Sequence, residues 1–360
     1  MERIKRVWQR FTGWTARHHT TAIAINGFLI IVAGGLLAAT MLFPPVERDE
    51  NGVPLPPKQQ VAVAQKFYSP LTGVEVPDEG ATKRQVTAIM IENSPSARPQ
   101  SGIKNAGIVF EAIAEGGITR LLCLYQEDRP GLIGPVRSLR PYYVDWLAPF
   151  DAAVAHVGGS KNALNEIRNG TYKDIDQFFN GRYYWRATDR AAPHNVYTNF
   201  DKLDALNQSK GFTSSKFTGF PRKLDGAVNP PNATAVDITV SSATYNVRYN
   251  YDAATNSYVR HLGGAPHKDR EGGQVMPKVV IAMKVPMHRG FEDGYREQMT
   301  TIGHNQVYIF QDGTVTEGFW RKTDRKDQIQ FYDKSGKPVA LNPGQTWITV
   351  NTPERSVKWQ

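Results

Sequence analysis

The sequence predicts a mixed α+β and α/β protein: an N-terminal transmembrane helix, an α/β domain, and then a mainly antiparallel β domain. Three observations carry this. An uncharged apolar run fills residues 21–43; strand-length apolar runs alternate with helical stretches between about 68 and 222; beyond about 233 only strand patterns remain. With 360 residues, 40% hydrophobic and 21% charged, the chain can bury sizeable cores, which excludes wholesale disorder. It shows no heptad run or fixed-period repeat. Its single cysteine, Cys123, rules out an internal disulfide framework and a Cys-based zinc cluster, and its place in an apolar run reads as a small buried hydrophobe.

The formal charge is +9, of which +4 falls in residues 1–20, where Arg3, Lys5, Arg6, Arg10 and Arg17 oppose Glu2. The remainder is mildly basic, with basic residues scattered among acids, so nucleic acid is a partner the sequence allows without favouring. The 23 residues of 21–43 would rise about 34 Å as a helix, enough to cross a hydrocarbon core of about 30 Å. Basic residues precede the run and Glu47, Asp49 and Glu50 follow it, so the positive-inside rule predicts a single-pass protein with residues 1–20 cytoplasmic and the rest extracytoplasmic. The competing readings are a cleaved signal peptide and a buried core helix. A 20-residue basic region and so long an apolar run argue against cleavage. Residues 44–66, rich in proline, read as a semi-rigid stalk.

The α/β domain is expected over 67–225. Strands are predicted at 86–92, 107–114, 120–126 and 151–157, each bounded by turn residues, and helices at 140–148, 161–169 and 201–209. The β domain is expected over 226–360, after the loop-like 223–235 with Pro230 and Pro231. There 243–250 and 256–262 flank one hairpin turn, and Asp312-Gly313 joins 306–310 to 314–320, because glycine accepts positive φ without steric cost. Residues 279–284 read as a core strand.

Polar residues crowd the strand ends and glycine turns of the first domain, in the runs 91–102, 110–120, 133–146, 156–160 and 185–195. In open α/β sheets ligands gather at the carboxyl ends of strands, where these loops would lie. The chain here resembles the YerB-type lipoprotein family, which carries a two-part domain of unknown function. The resemblance rests on the strings IENSPSARPQSG, FEAIAEGGITR, IGPVRSLRPYYVDW, HVGGS, APHNVYTN and LNPGQTWITV and covers about 68–350. It implies a bacterial, extracytoplasmic, membrane-tethered protein and supplies no catalytic residues. The departure is the anchor, which lacks a lipobox cysteine, so a transmembrane helix replaces the lipid.

Read physically, the arginines stand out. If helix begins near Ser138, Arg137 and Arg140 converge on one side, where guanidinium forks bind phosphate or carboxylate. The expected ligand-binding set is Glu92, Arg98, Glu115, Arg120, Arg137, Ser138, Arg140, His156, Arg190, His194 and Asn195. The alternative is that Arg98, Arg120, Arg137 and Arg140 pair with Glu92, Glu111, Glu115 and Asp145 in structural ion networks. Catalytic candidates are Glu115, His156 and His194. No Gly-x-Ser-x-Gly elbow or phosphate loop is present, and no metal or cofactor is expected. The function predicted is a membrane-anchored accessory protein whose arginine-rich pocket holds an anionic envelope glycan or lipid-linked precursor. The alternatives are a hydrolase or phosphoryl transferase acting on envelope glycopolymers, and a protein that binds extracellular DNA.

Overall fold

After a small strand pair, Phe67–Tyr68 with Glu75–Val76, and a short helix, Glu79–Lys83, come strands β1 (Thr87–Glu92), β2 (Ile108–Glu115) and β3 (Ile118–Tyr125), in which nearly every residue is buried. The computed structural model describes residues 65–360, with Lys5 and residues 50–53. The expected cytoplasmic tail 1–20 apart from Lys5, the span 21–43 and most of the stalk 44–66 lie outside the described residues. Among the described residues no helix is long and apolar enough to cross a membrane.

Gly116 and Gly117, at φ 57° and 81°, make the two-residue turn with paired positive φ that joins β2 to β3. So short a connection cannot cross over, so β2 and β3 are antiparallel, and β1 adds antiparallel to β3. The parallel pairs of this half are therefore confined to its far edge. The helix expected from 140 is α1 (Pro141–Leu147), and Arg140 before it is extended at φ −130°, ψ 155°. Proline at the first helical position sets this boundary, because its ring disfavours helical backbone in the preceding residue. Arg137 and Arg140 consequently stand on an extended segment and not on one helix face. Strand β4 (Ala153–Ala155) then pairs parallel to β1, and α2 (Lys161–Asn169) starts where the Ser160 side chain accepts from the Ala163 amide.

Residues 223–234 form neither helix nor strand. The second half supplies β5 (Val279–Lys284), β6 (Met287–Phe291), β7 (Arg296–Met299), β8 (Gly303–Gln311), β9 (Thr314–Lys322) and β10 (Thr346–Asn351). The expected Asp312-Gly313 turn joins β8 to β9, with both residues at positive φ. Strand β10 runs parallel to β5 on one side and to β2 on the other. One twelve-stranded sheet therefore crosses both halves, in the order Gln330–Asp333, β9, β8, β5, β10, β2, β3, β1, β4, Lys173–Asp174, with the β6–β7 hairpin branching from β2 where Arg296 pairs with Glu115. All residues of β5 and β10 are buried. Since full burial of one Val, Ile or Met contributes about 1.5–3 kcal/mol, this seam is a main source of stability. A second sheet of five strands includes Ala235–Ile238, Val247–Asp252, Ser257–Leu262 and Val357–Trp359.

Candidate functional site

Glu92 ends β1 directly opposite Arg120 of β3, and Glu115 ends β2, so strand register alone brings three charged residues to one end of the sheet. The segment before α1 adds two more. It is held by the Arg137 amide donating to the Met90 carbonyl and by a bridge between Val136 and Ile91. Two carboxylate nodes result. Glu115 faces Arg120 at 2.9 Å, Arg140 in close contact, and Arg296 of β7 at 3.8 Å. Glu92 faces Arg137 Nε at 3.1 Å and accepts from His194 Nδ1 and Ser94 Oγ, each at 2.9 Å.

Burial lowers the pKa of Arg120, Arg137 and Arg140 below the ordinary guanidinium value; for Arg137 the Glu92 carboxylate opposes that shift. The nodes differ in access. The Arg140 side chain is 5% exposed, whereas those of Arg137 and His194 are 23% and 26% exposed. Glu92 lies 3.1 Å from the inner nitrogen of Arg137 as an ion pair without a hydrogen bond, and none of the three guanidinium nitrogens makes a hydrogen bond among the described residues. The second ring nitrogen of His194 is likewise without a hydrogen-bond partner there. Arg186 lies beside this corner and donates to the Asn195 side chain at 2.8 Å.

The other expected residues take separate places. The Ser138 carbonyl accepts from Arg120 at 3.0 Å. Arg98 donates to the carbonyl and side-chain oxygens of Asn93 and lies 5.0 Å from the centre of the Tyr245 ring, with no ion pair among the described residues. Arg190 donates to the carbonyls of Ser96 and Pro99, and Asn195 donates to the Ala187 carbonyl. His156 is fully buried, with one ring nitrogen 2.7 Å from the Gly158 carbonyl and the other 3.0 Å from Asp174. Asp145, expected among the partners of the four arginines, instead meets Arg325 at 2.5 Å. Among the described residues no three His, Cys, Asp or Glu side chains are grouped to hold a metal ion.

Three participants were missed in the sequence. Arg296 and Glu292 belong to the β6–β7 hairpin, whose tip reaches α2: Glu292 accepts from Ser160 Oγ at 2.8 Å and the Asn162 amide at 3.0 Å. Nothing local in the sequence marks that long-range contact. Arg186, by contrast, sits inside the run 185–195 and was passed over in favour of Arg190.

A large sheet rich in antiparallel pairing, helices on the first half and a charged corner at the ends of β1 to β3 define a mixed α/β protein built from two sequence halves. The chain belongs to the family described as Protein of unknown function (DUF3048), whose N-terminal domain matches residues 71–213 and whose C-terminal domain matches residues 236–348. It is 32% identical over 291 residues to a Bacillus subtilis (strain 168) protein named "Putative lipoprotein YerB", covering 80% of this chain and 87% of that one. The crystal structure of the YerB protein from Bacillus subtilis matches with a TM-score of 0.73 at 31% identity, over 81% of this chain and 100% of the other. The YerB-type resemblance of the sequence is thus a family relationship carried by the whole fold.

Proposed function

We propose that the protein is a membrane-tethered, extracytoplasmic binding module of the bacterial cell envelope. It holds the phosphate or carboxylate of an envelope glycan or lipid-linked precursor at the Glu92 node. The observation that carries this reading is the state of Arg137: its guanidinium stands beside Glu92 by charge alone and makes no hydrogen bond among the described residues, next to the outer nitrogen of His194, which makes none there either. A partly exposed guanidinium with its donors unused can meet a planar or tetrahedral anion with charge-assisted hydrogen bonds. The tether is supported by the basic 1–20 and apolar 21–43 segments and by the name of the Bacillus relative.

The test is calorimetric titration of the detergent-solubilised full chain with inorganic phosphate. Charge-assisted hydrogen bonds contribute about 1.5–3 kcal/mol each, so Arg137→Gln should weaken binding roughly tenfold or more. Unchanged affinity in that variant overturns the reading.

One contact favours the hydrolase or phosphoryl-transferase alternative. The 2.9 Å bond from His194 to Glu92 has the form of a carboxylate-oriented base, with Arg137 placed to stabilise developing negative charge. On that alternative His194→Gln abolishes turnover of a phosphorylated envelope polymer while phosphate binding persists. The fully buried His156 has no comparable access, and Glu115, though 19% exposed, is already engaged by Arg120 and Arg140.

A further inference from the structure

A second cleft, of about 230 Å³, opens between α1, α2 and the β6–β7 hairpin. In β7 the residues alternate, so Glu297 and Met299 share the buried face while Gln298 is exposed. Glu297 lines the cleft, is 7% exposed, and its side chain makes neither a hydrogen bond nor an ion pair among the described residues. Burial raises its pKa above the usual carboxylate range, while Arg289 and His288 pull the other way through space without contact. The Glu297 residue is largely buried but its carboxylate oxygens reach the solvent of the cleft, and Arg289 directly across the hairpin makes no ion pair with it, so the carboxylate has no counter-ion in contact among the described residues.

Its surroundings state what partner would suit it. Asp145 and Glu166 also line the cleft and share one cation, Arg325, at 2.5 and 2.6 Å, so this wall of the cleft carries more negative than positive charge. Tyr142 and Met299 supply an apolar wall beside these acids. The three carboxylates are not grouped as metal ligands. An aliphatic stem along Tyr142 and Met299, ending in a cation at Glu297, satisfies the charge, the apolar wall and the size together.

We infer that this cleft receives a primary ammonium group on a short aliphatic stem, with Glu297 as its counter-ion. Such a group belongs equally to a free diamine and to a lysine-type side chain on a peptide. The site is separate from the Glu92 node.

The experiment titrates the detergent-solubilised full chain with cadaverine and, separately, with Nα-acetyl-lysine methylamide, followed by calorimetry and by the Met299 methyl resonance. Saturable binding of at least one amine, a shifted Met299 signal, and a tenfold or greater loss of affinity in Glu297→Gln are expected. The neutral isostere 1-pentanol should not compete. Which amine binds separates the two sources. The inference is overturned if neither amine saturates, if the Met299 resonance does not move, or if binding survives Glu297→Gln. Should that variant fail to fold, the Met299 resonance of the unaltered protein decides. Phosphate binding to Arg137→Gln reads the other site, so failure here and failure there are distinguishable.

Discussion

Arg260 and Glu111 form an ion pair of 2.6 Å in which both side chains are 0% exposed. The arginine comes from the strand Ser257–Leu262 of the smaller sheet and the carboxylate from β2 of the large one. Around them the network is closed. The guanidinium lies 4.2 Å from the centre of the Trp347 ring and 5.1 Å from that of Tyr249, and its Nε donates to His267 Nδ1 at 2.9 Å. Burial, with Arg260 and Arg98 adding to it, pushes the His267 pKa well below its usual value, which keeps that nitrogen free to accept. Glu111 also accepts from Trp347 Nε1, Asn93 and Thr119. One buried pair thus ties both sheets and both halves of the sequence.

Removing one partner of such a pair leaves an uncompensated charge in a low dielectric, at a cost of about 3–5 kcal/mol. Glu111→Gln should therefore lower the midpoint of urea unfolding by that equivalent, and Arg260→Met similarly. The double variant should lose clearly less than the sum, because the residues act as a unit. A single-variant loss below about 1 kcal/mol would show that the pair contributes little.

This network also marks where sequence reading stops. Helix α2 and strand β5 have the bounds expected from local signals, since Ser160 caps one and a continuous apolar run makes the other. The Arg260 role had a local sign that was not used: it shares the inward register with Tyr258 and Leu262, an arginine on an apolar strand face. The position of β10 had none. Its apolar run announces a strand, but parallel insertion between β5 and β2 depends on partners more than 60 and 230 residues away. Likewise Pro141, plain in the sequence, was enough to move the helix start and separate Arg137 from Arg140.

Lys322 gives a pH signature. Its residue is 1% exposed, its ammonium donates to the carbonyls of Arg325 and Asp327, and burial lowers its pKa to about 8, against the attraction of Asp145 and Asp327. The unfolded chain keeps the ordinary lysine value of about 10.4. Between these values the unfolded state binds more protons, so this group makes stability rise with pH from about 8 to about 10.4 and leaves its penalty in place below. Subtracting the unfolding free energy of Lys322→Met from that of the wild type removes the tyrosine contributions common to both. The difference should climb in the wild type's favour across that window; a flat difference would show that Lys322 titrates as it does in the unfolded chain.

Arg137 and Arg140 lie three residues apart and should respond oppositely. Arg140, 5% exposed, is committed to Glu115, whose other close partner, Arg120, remains when Arg140 is replaced. Loss of that charge-assisted contact should cost about 1.5–3 kcal/mol. Arg140→Gln should therefore lower the melting temperature by several degrees while phosphate affinity changes less than threefold. Arg137 is about a quarter exposed, and Glu92 keeps His194 and Ser94 when it is replaced. Arg137→Gln should then leave melting within about 2 °C, since partly exposed pairs contribute roughly 0–1 kcal/mol, and abolish most phosphate binding. Thermal melting and phosphate titration of both variants check this. If Arg140→Gln weakens phosphate as strongly as Arg137→Gln does, the anion sits between the two nodes and not at Glu92. If neither variant changes phosphate affinity, the arginines at this end of the sheet serve its carboxylates alone, and the accessible fork of Arg137 is no ligand site.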